Sequence, residues 1–240
     1  MNDMAKFFAE QEVKARAAMA AHKADCKQPT CDRCERWTCI DCTQRLGRNA
    51  PRCSDCETKN RRATWLAGAL DTVPARSRDV RLDAPWLAAL VGPENIAKAR
   101  QNVRSERVTF VGKPGGGKTS LAAAMFHELV ATSEGGWRAR HMFVCAYEIA
   151  RARRNASLGE EAPLVTLALS TPLLVIDELG GEESQYASAV YEVIHQRYGE
   201  QLPTWITTGV GPKELAARYG GGIARRLFEG AVGFRLGATE

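Results

Sequence analysis

From Arg107 onward, short apolar runs alternate with longer stretches whose apolar positions recur every three or four residues. Arg107-Val108-Thr109-Phe110-Val111, Arg140 to Cys145, Pro172 to Ile176, Pro203 to Thr208 and Ala231 to Leu236 read as strands. Several are apolar without polar alternation, which predicts strands covered on both faces. Between them, Ser120 to Thr132 and Tyr147 to Asn155 read as helices, with Gly135-Gly136 breaking the chain after the first. A further helix would be capped by Ser184 and ended by Gly199, with Ala187, Val190, Tyr191, Ile194 and Tyr198 on one core-facing stripe. Pro212 opens a short helix through Tyr219, and Gly220-Gly221-Gly222 leads into Ile223 to Leu227. Alternating strand and helix predicts an α/β fold, a parallel sheet with helices on both faces. Cys145, inside the second strand, reads as a buried core thiol.

Upstream the pattern changes. Residues 64–71 and 84–91 are short apolar stretches separated by a loop from Pro74 to Arg81, and Pro93 opens a helix through about Val103. Residues 4–23 are Ala-rich and lack Gly and Pro, with Met4, Phe7 and Phe8 on one side, which predicts a helix. It either packs on its neighbours or docks a partner protein. The polar run Glu57 to Arg62 marks a boundary, dividing the chain into an N-terminal segment, 1–62, and an α/β domain, 63–240.

One junction carries chemistry. Gly112-Lys113-Pro114-Gly115-Gly116-Gly117-Lys118-Thr119, followed by Ser120, lies between a predicted strand and a predicted helix. Glycine, four residues, Gly-Lys-Thr in that setting is a phosphate-binding loop. Glycines leave backbone N–H groups free to wrap a phosphate, and the helix N-terminus adds the positive end of its dipole. Lys118 would reach the β- and γ-phosphates of ATP, and the Thr119 hydroxyl would hold Mg²⁺. About 60 residues on, Leu173-Leu174-Val175-Ile176-Asp177-Glu178 brings two acids to the end of a buried strand. Asp177 would hold the hydration shell of Mg²⁺, and Glu178 would orient and polarise the attacking water.

The 240 residues carry a net charge of +5 and suit one full domain with an appendage. No apolar run approaches the roughly 20 residues of a membrane span, and the start lacks a signal-peptide core, so no membrane contact and a cytoplasmic location are expected. The charge excess sits in residues 1–62, where 13 Lys/Arg meet 9 Asp/Glu; the remaining 178 residues hold 20 and 19. Bulk charge therefore argues only weakly for nucleic acid, and local arginines carry that case. Arg151, Arg153 and Arg154 cluster on the predicted helix after the second strand, where they would grip a DNA backbone unless Glu148, Glu160 and Glu161 neutralise them.

Seven of eight cysteines, Cys26, Cys31, Cys34, Cys39, Cys42, Cys53 and Cys56, fall within about 30 residues. Three C-x-x-C pairs and an odd count argue for zinc over disulfides. Cys31, Cys34, Cys53 and Cys56 have the spacing of one Cys₄ site. Cys39 and Cys42 with Cys26 would form a second, for which His22 could supply the last ligand. Two zinc ions in a cross-brace is the favoured arrangement; one zinc with three spare thiols is the alternative. Such a module is too small to fold without metal. Arg33, Arg36, Arg45, Arg48 and Arg52, with Trp37, offer it either a nucleic-acid contact or a solvated basic surface.

Taken together, these motifs resemble the AAA+ ATPases of the DnaC/DnaI helicase-loader and IstB transposition-helper group, over roughly residues 73–237. The likeness rests on Gly112 to Thr119, Leu174 to Gly180, His195-Gln196-Arg197-Tyr198, Leu202 to Thr208, and Arg218-Tyr219-Gly220 through Leu227. It implies a five-stranded AAA+ sheet, assembly on a replicative hexameric helicase, and a helix that contacts single-stranded DNA where Arg151, Arg153 and Arg154 stand. It also implies a self-oligomer through an arginine finger at Arg226, next to Arg225. Gly209 replaces the Asn that usually senses the γ-phosphate in this group, so Thr208 or Thr207 would have to act instead and hydrolysis would be slow. Gly222 stands where the group tends to carry an Arg. The resemblance points to an ATP-driven helicase loader, with a phage or mobile element as its expected source, gripping the helicase through its zinc module. The alternatives are an IstB-like transposition helper and a nonhydrolysing ATP-dependent adaptor.

Overall fold

The computed structural model describes Ala17, Thr30–Cys31, Arg36–Trp37 and residues 54–132, 141–157 and 159–237. The chain divides into two compact units, Met1–Thr64 and Trp65–Glu240. In the first, β1 (Thr30–Cys31) and β2 (Arg36–Trp37) pair antiparallel, Thr30 opposite Trp37 and Cys31 opposite Arg36. The helix expected over residues 4–23, and His22, Cys26, Cys34, Cys39, Cys42 and Cys53, lie outside the described residues. Helix α1 (Ser54–Leu70) contains the run Glu57 to Arg62 that polarity alone marked as a linker. Glu, Lys and Arg are good helix formers, and polarity does not oppose a helix.

In the second unit, a 3₁₀ turn (Ala75–Ser77) precedes α2 (Pro85–Val91) and α3 (Pro93–Gln101), each opened by a proline. There follow β3 (Arg107–Gly112), α4 (Lys118–Thr132), β4 (Met142–Cys145), α5 (Ala146–Arg154), α6 (Pro163–Ser170) and β5 (Leu174–Leu179). A 3₁₀ turn (Ser184–Tyr186) leads to α7 (Ala187–Gly199), then β6 (Thr204–Thr208), α8 (Pro212–Tyr219), α9 (Gly221–Phe228) and β7 (Val232–Leu236). Strands β3 to β7 form one sheet in the order β4-β5-β6-β3-β7, every pair parallel. This is the five-stranded parallel α/β sheet that the sequence predicts.

Alternation along each strand splits the core in two. Phe110, Val175, Trp205 and Phe234 face one side, against Leu121, Met125 and Phe126 of α4. Val144, Leu174, Ile176 and Ile206 face the other, against α5 to α9. A strand with both faces covered needs apolar residues at every position, which is why β5 reads as an unbroken run.

Three expectations change in detail. α7 starts at Ala187 with Tyr186 as its N-cap, not at Ser184. Tyr191 is exposed and stacks on His195, because the buried face of α7 runs through Ala187, Val190, Val193, Ile194 and Arg197. Helix α6 was not anticipated: eight largely apolar residues do not display a helical period.

Candidate nucleotide site

The loop after β3 turns sharply enough to need glycine. Gly117 adopts φ +84°, and a Cβ there would lie 2.6 Å from Val91 Cγ1. The N–H of Gly116 donates to the Lys113 carbonyl (3.2 Å), closing the turn, and α4 begins at Lys118. The loop's carbonyl at Lys113 also accepts from Lys118 Nζ at 2.8 Å. Burial pulls the Lys118 ammonium below its ordinary pKa, with Asp177 and Glu178 opposing that shift.

At the end of β5 the ladder to β6 slips between Ile176 and Leu179. The slip, with Glu178 at φ +55°, turns Asp177 and Glu178 to opposite fates. Asp177 is buried and its Oδ1 accepts from the hydroxyls of Thr119 (2.9 Å) and Thr207 (2.5 Å). Glu178 is exposed at the cleft; its Oε1 lies 3.8 Å from Arg76 and its Oε2 4.0 Å from Cys145 Sγ. The Glu178 N–H donates to Thr207 Oγ1 (2.9 Å), so one threonine fixes both acids. Cys145 is therefore not a core thiol: it sits half-buried beside Glu178, and burial pushes its pKa up.

A cleft of about 550 Å³ is lined by Pro114, Gly115, Gly117, Lys118, Thr119 and Ser120 from the loop and α4, Glu178 to Gly181 from β5 and beyond, Gly209 and Val210, and Arg76 and Leu90. It opens at the carboxyl ends of the strands, where ligands bind in open α/β sheets. Thr207 and Thr208, considered above as replacements for the sensor Asn, are not among its lining residues. Both are buried; Thr208 donates to the Leu179 carbonyl (2.8 Å) and accepts from the Val210 N–H (3.2 Å). Those bonds hold Thr208 in the turn after β6. Sequence reasoning missed Arg76 because it reaches the cleft from a turn remote from either motif.

The arginines of α5 separate. Arg153 pairs with Glu161 and with Glu192 of α7, whereas Glu148 accepts from the Cys145 N–H (3.1 Å). Arg151 and Arg154 are exposed, Arg151 about 6.0 Å from the ring of exposed Tyr147 and Arg154 5.1 Å from that of Tyr186. On α9, Arg226 folds back to His195 and over Tyr198, 5.1 Å from the ring centre, whereas Arg225 is exposed and pairs with Glu229 at 3.5 Å.

Among the described residues no three His, Cys, Asp or Glu side chains group as a metal site, and no helix is long and apolar enough to cross a membrane. Cys56 is buried on α1.

Sheet, glycine loop and paired acids define this domain as a P-loop NTPase fold of the AAA+ type. No family model matches the chain. Over 143 residues it is 30% identical to the replicative helicase loader DnaC of Escherichia coli K12, a match that covers 55% of this chain and 56% of that protein; DnaC of Shigella flexneri matches to the same extent. The crystal structure of the DnaC helicase loader aligns over 68% of this chain and 99% of its own, with TM-score 0.57 and 23% identity. That of DnaI aligns over 72% and 93%, with TM-score 0.50 and 21% identity. The replication initiator DnaA, bound to AMPPCP and single-stranded DNA, aligns over 70% and 51%, with TM-score 0.53 and 14% identity. The chain is thus similar to the DnaC-type helicase loaders over part of its length, and it spans just over half the length of the curated relatives it matches.

Proposed function

We propose that the protein is an ATP-hydrolysing loader of a replicative hexameric helicase, working in the cytoplasm. The observation that carries the ATPase reading is the junction of the two motifs at Asp177, where the Thr119 hydroxyl of the phosphate loop meets the acid of β5. Two adjacent hard oxygen donors, one a buried carboxylate, suit Mg²⁺, and the free N–H groups at the start of α4 suit phosphate. Thr119 and Asp177 would hold the ion, and Mg²⁺ when bound would offset charge on the phosphate oxygens. Lys118 leaves the Lys113 carbonyl for the β- and γ-phosphates. Glu178, whose backbone Thr207 holds, orients the water that attacks the terminal phosphate.

Homology with DnaC supports the helicase as partner. Exposed Arg151 and Arg154 beside Tyr147 and Tyr186 supply charge and stacking faces suited to single-stranded DNA. A self-oligomer would place an arginine of α9 at the neighbour's cleft; Arg226 would have to leave His195 and Tyr198 to serve, and Arg225 is already exposed. The N-terminal module would bind zinc through Cys26, Cys31, Cys34, Cys39, Cys42, Cys53 and Cys56, with His22. Its support is the spacing of the three C-x-x-C pairs, the first of which begins at Cys31 in the β1–β2 ladder. Less than one zinc per chain in protein purified without chelator would exclude it.

A second reading, an ATP-dependent adaptor that does not hydrolyse, draws support from Gly209, which gives the cleft no polar side chain where the group has Asn. The loader is tested by affinity capture on Glu178→Gln protein with ATP. Recovery of a hexameric replicative helicase, lost on deleting residues 1–62, is expected; recovery of a transposase or of DNA alone would favour the transposition helper.

A further inference from the structure

We infer that Arg76 is a nucleotide contact that distinguishes a triphosphate from a diphosphate, exchanging Glu178 for the terminal phosphate. The inference rests on the cleft being the ATP site proposed above and adds a residue that neither sequence motif contains.

The loop from Pro74 to Arg81 carries three arginines, and two of them hold the loop itself. Arg78 donates to the Asp71 carbonyl (3.0 Å) and pairs with the Asp71 carboxylate (3.2 Å). Arg81 donates to the carbonyls of Arg78 (3.3 Å) and Val80 (3.1 Å). The backbone beneath is anchored: Ser77 is buried and its N–H donates to the Pro74 carbonyl at 2.8 Å, while Val73 and Val80 sit in the core. Arg76 alone among the three lines the cleft. A fixed backbone thus presents a guanidinium with three-quarters of its side chain exposed, 74%, to the space that Lys118 also faces.

Its position within that space is marked by Glu178. The acid that orients the attacking water stands at the end of the cleft where the terminal phosphate reacts. Arg76 lies 3.8 Å from that carboxylate and so reaches the same end. A pair so long and so exposed adds little stability. A phosphate presents more charge and a fork-shaped set of acceptors to a guanidinium, which favours it over a single carboxylate oxygen. The exchange frees Glu178 for water only when a third phosphate is present. A diphosphate does not reach that end, so Arg76 stays with Glu178.

Equilibrium titrations with fluorescent ATP and ADP analogues in Mg²⁺ test this, using wild type, Arg76→Ala, Arg76→Lys and Lys118→Ala in the full chain. The expected result is a loss of at least tenfold in ATP affinity for Arg76→Ala with ADP affinity within twofold of wild type, and partial recovery in Arg76→Lys. Lys118→Ala should weaken both nucleotides. If Arg76→Ala weakens ATP and ADP alike, or neither, while Lys118→Ala behaves as expected, the role of Arg76 is overturned and the site stands. If wild type binds neither nucleotide, the site and the inference are overturned together.

Discussion

Thr119 donates its hydroxyl to Asp177 at 2.9 Å, a bond between residues 58 positions apart that joins the phosphate loop to the acidic strand. The same oxygen of Asp177 accepts from Thr207. Asn at 177 retains an acceptor oxygen for both hydroxyls but not the charge a divalent cation needs. Asp177→Asn should therefore keep its thermal midpoint within a few degrees of wild type while Mg²⁺-dependent nucleotide affinity falls at least tenfold. Thr207→Val should act through the fold instead, because it strips a buried donor from Asp177 and the acceptor from the Glu178 N–H. About 1–3 kcal/mol of stability should be lost in urea denaturation.

Arg197 is a buried cation held by carbonyls and a hydroxyl, with Glu200 near enough to favour its charge. Its guanidinium donates to the carbonyls of Ala168 (2.8 Å), Thr171 (2.7 Å) and Pro203 (2.6 Å) and to Thr204 Oγ1 (3.0 Å), tying α7 to the end of α6 and the start of β6. Burial pulls its pKa down to about 10, which leaves it charged at neutral pH. Arg197→Met would fill the volume but leave those carbonyls without a donor. A loss of about 3 kcal/mol or more is expected in urea denaturation; a variant as stable as wild type would show that water replaces the guanidinium.

Acid should destabilise the fold through His127 and His141. Burial holds both imidazoles below their ordinary pKa, with Arg81 adding to the effect on His127, and His141 Nδ1 is buried without a hydrogen-bond partner. The unfolded chain takes up protons near pH 6.5 and the folded chain only at lower pH. Between those points the unfolded state binds more protons, so stability falls as pH falls from about 6.5. His141→Phe, which keeps a ring against Trp65, should show a smaller drop in thermal midpoint between pH 7.5 and 5.5 than wild type.

The arginines of α5 should separate in function as they do in geometry. Arg151→Ala/Arg154→Ala should weaken oligonucleotide binding and flatten its dependence on salt, because phosphate contacts release counterions. Arg153→Ala should instead lower stability, because it leaves Glu161 and Glu192 unpaired. Equal DNA affinity for wild type and the double variant would remove α5 from the DNA surface.

What the sequence revealed and what it hid follow from the range of each interaction. Gly112 to Thr119 and Leu174 to Glu178 were legible because each is contiguous and flanked by the pattern of its own element. The parallel sheet followed from the same alternation. Thr207 was harder to place: its bonds to Asp177 and the Glu178 N–H exist because the β5–β6 ladder slips by a residue, and no local pattern encodes that slip. Arg153 finds Glu192 across 39 residues, from a helix whose exposed face the sequence does not assign. The expectation for Thr208 came from its place beside Gly209; its hydroxyl was instead taken by the turn it closes.

Glu178 would act in a cleft that offers Gly209 where the ATPases it resembles carry Asn. Single-turnover ATP hydrolysis with single-stranded DNA, comparing wild type with Glu178→Gln, addresses this directly. Measurable hydrolysis by wild type is expected, with a loss of at least a hundredfold in Glu178→Gln while ATP binding is retained. Equal silence of the two proteins, both still binding ATP, would contradict it and make the protein a nucleotide-dependent adaptor.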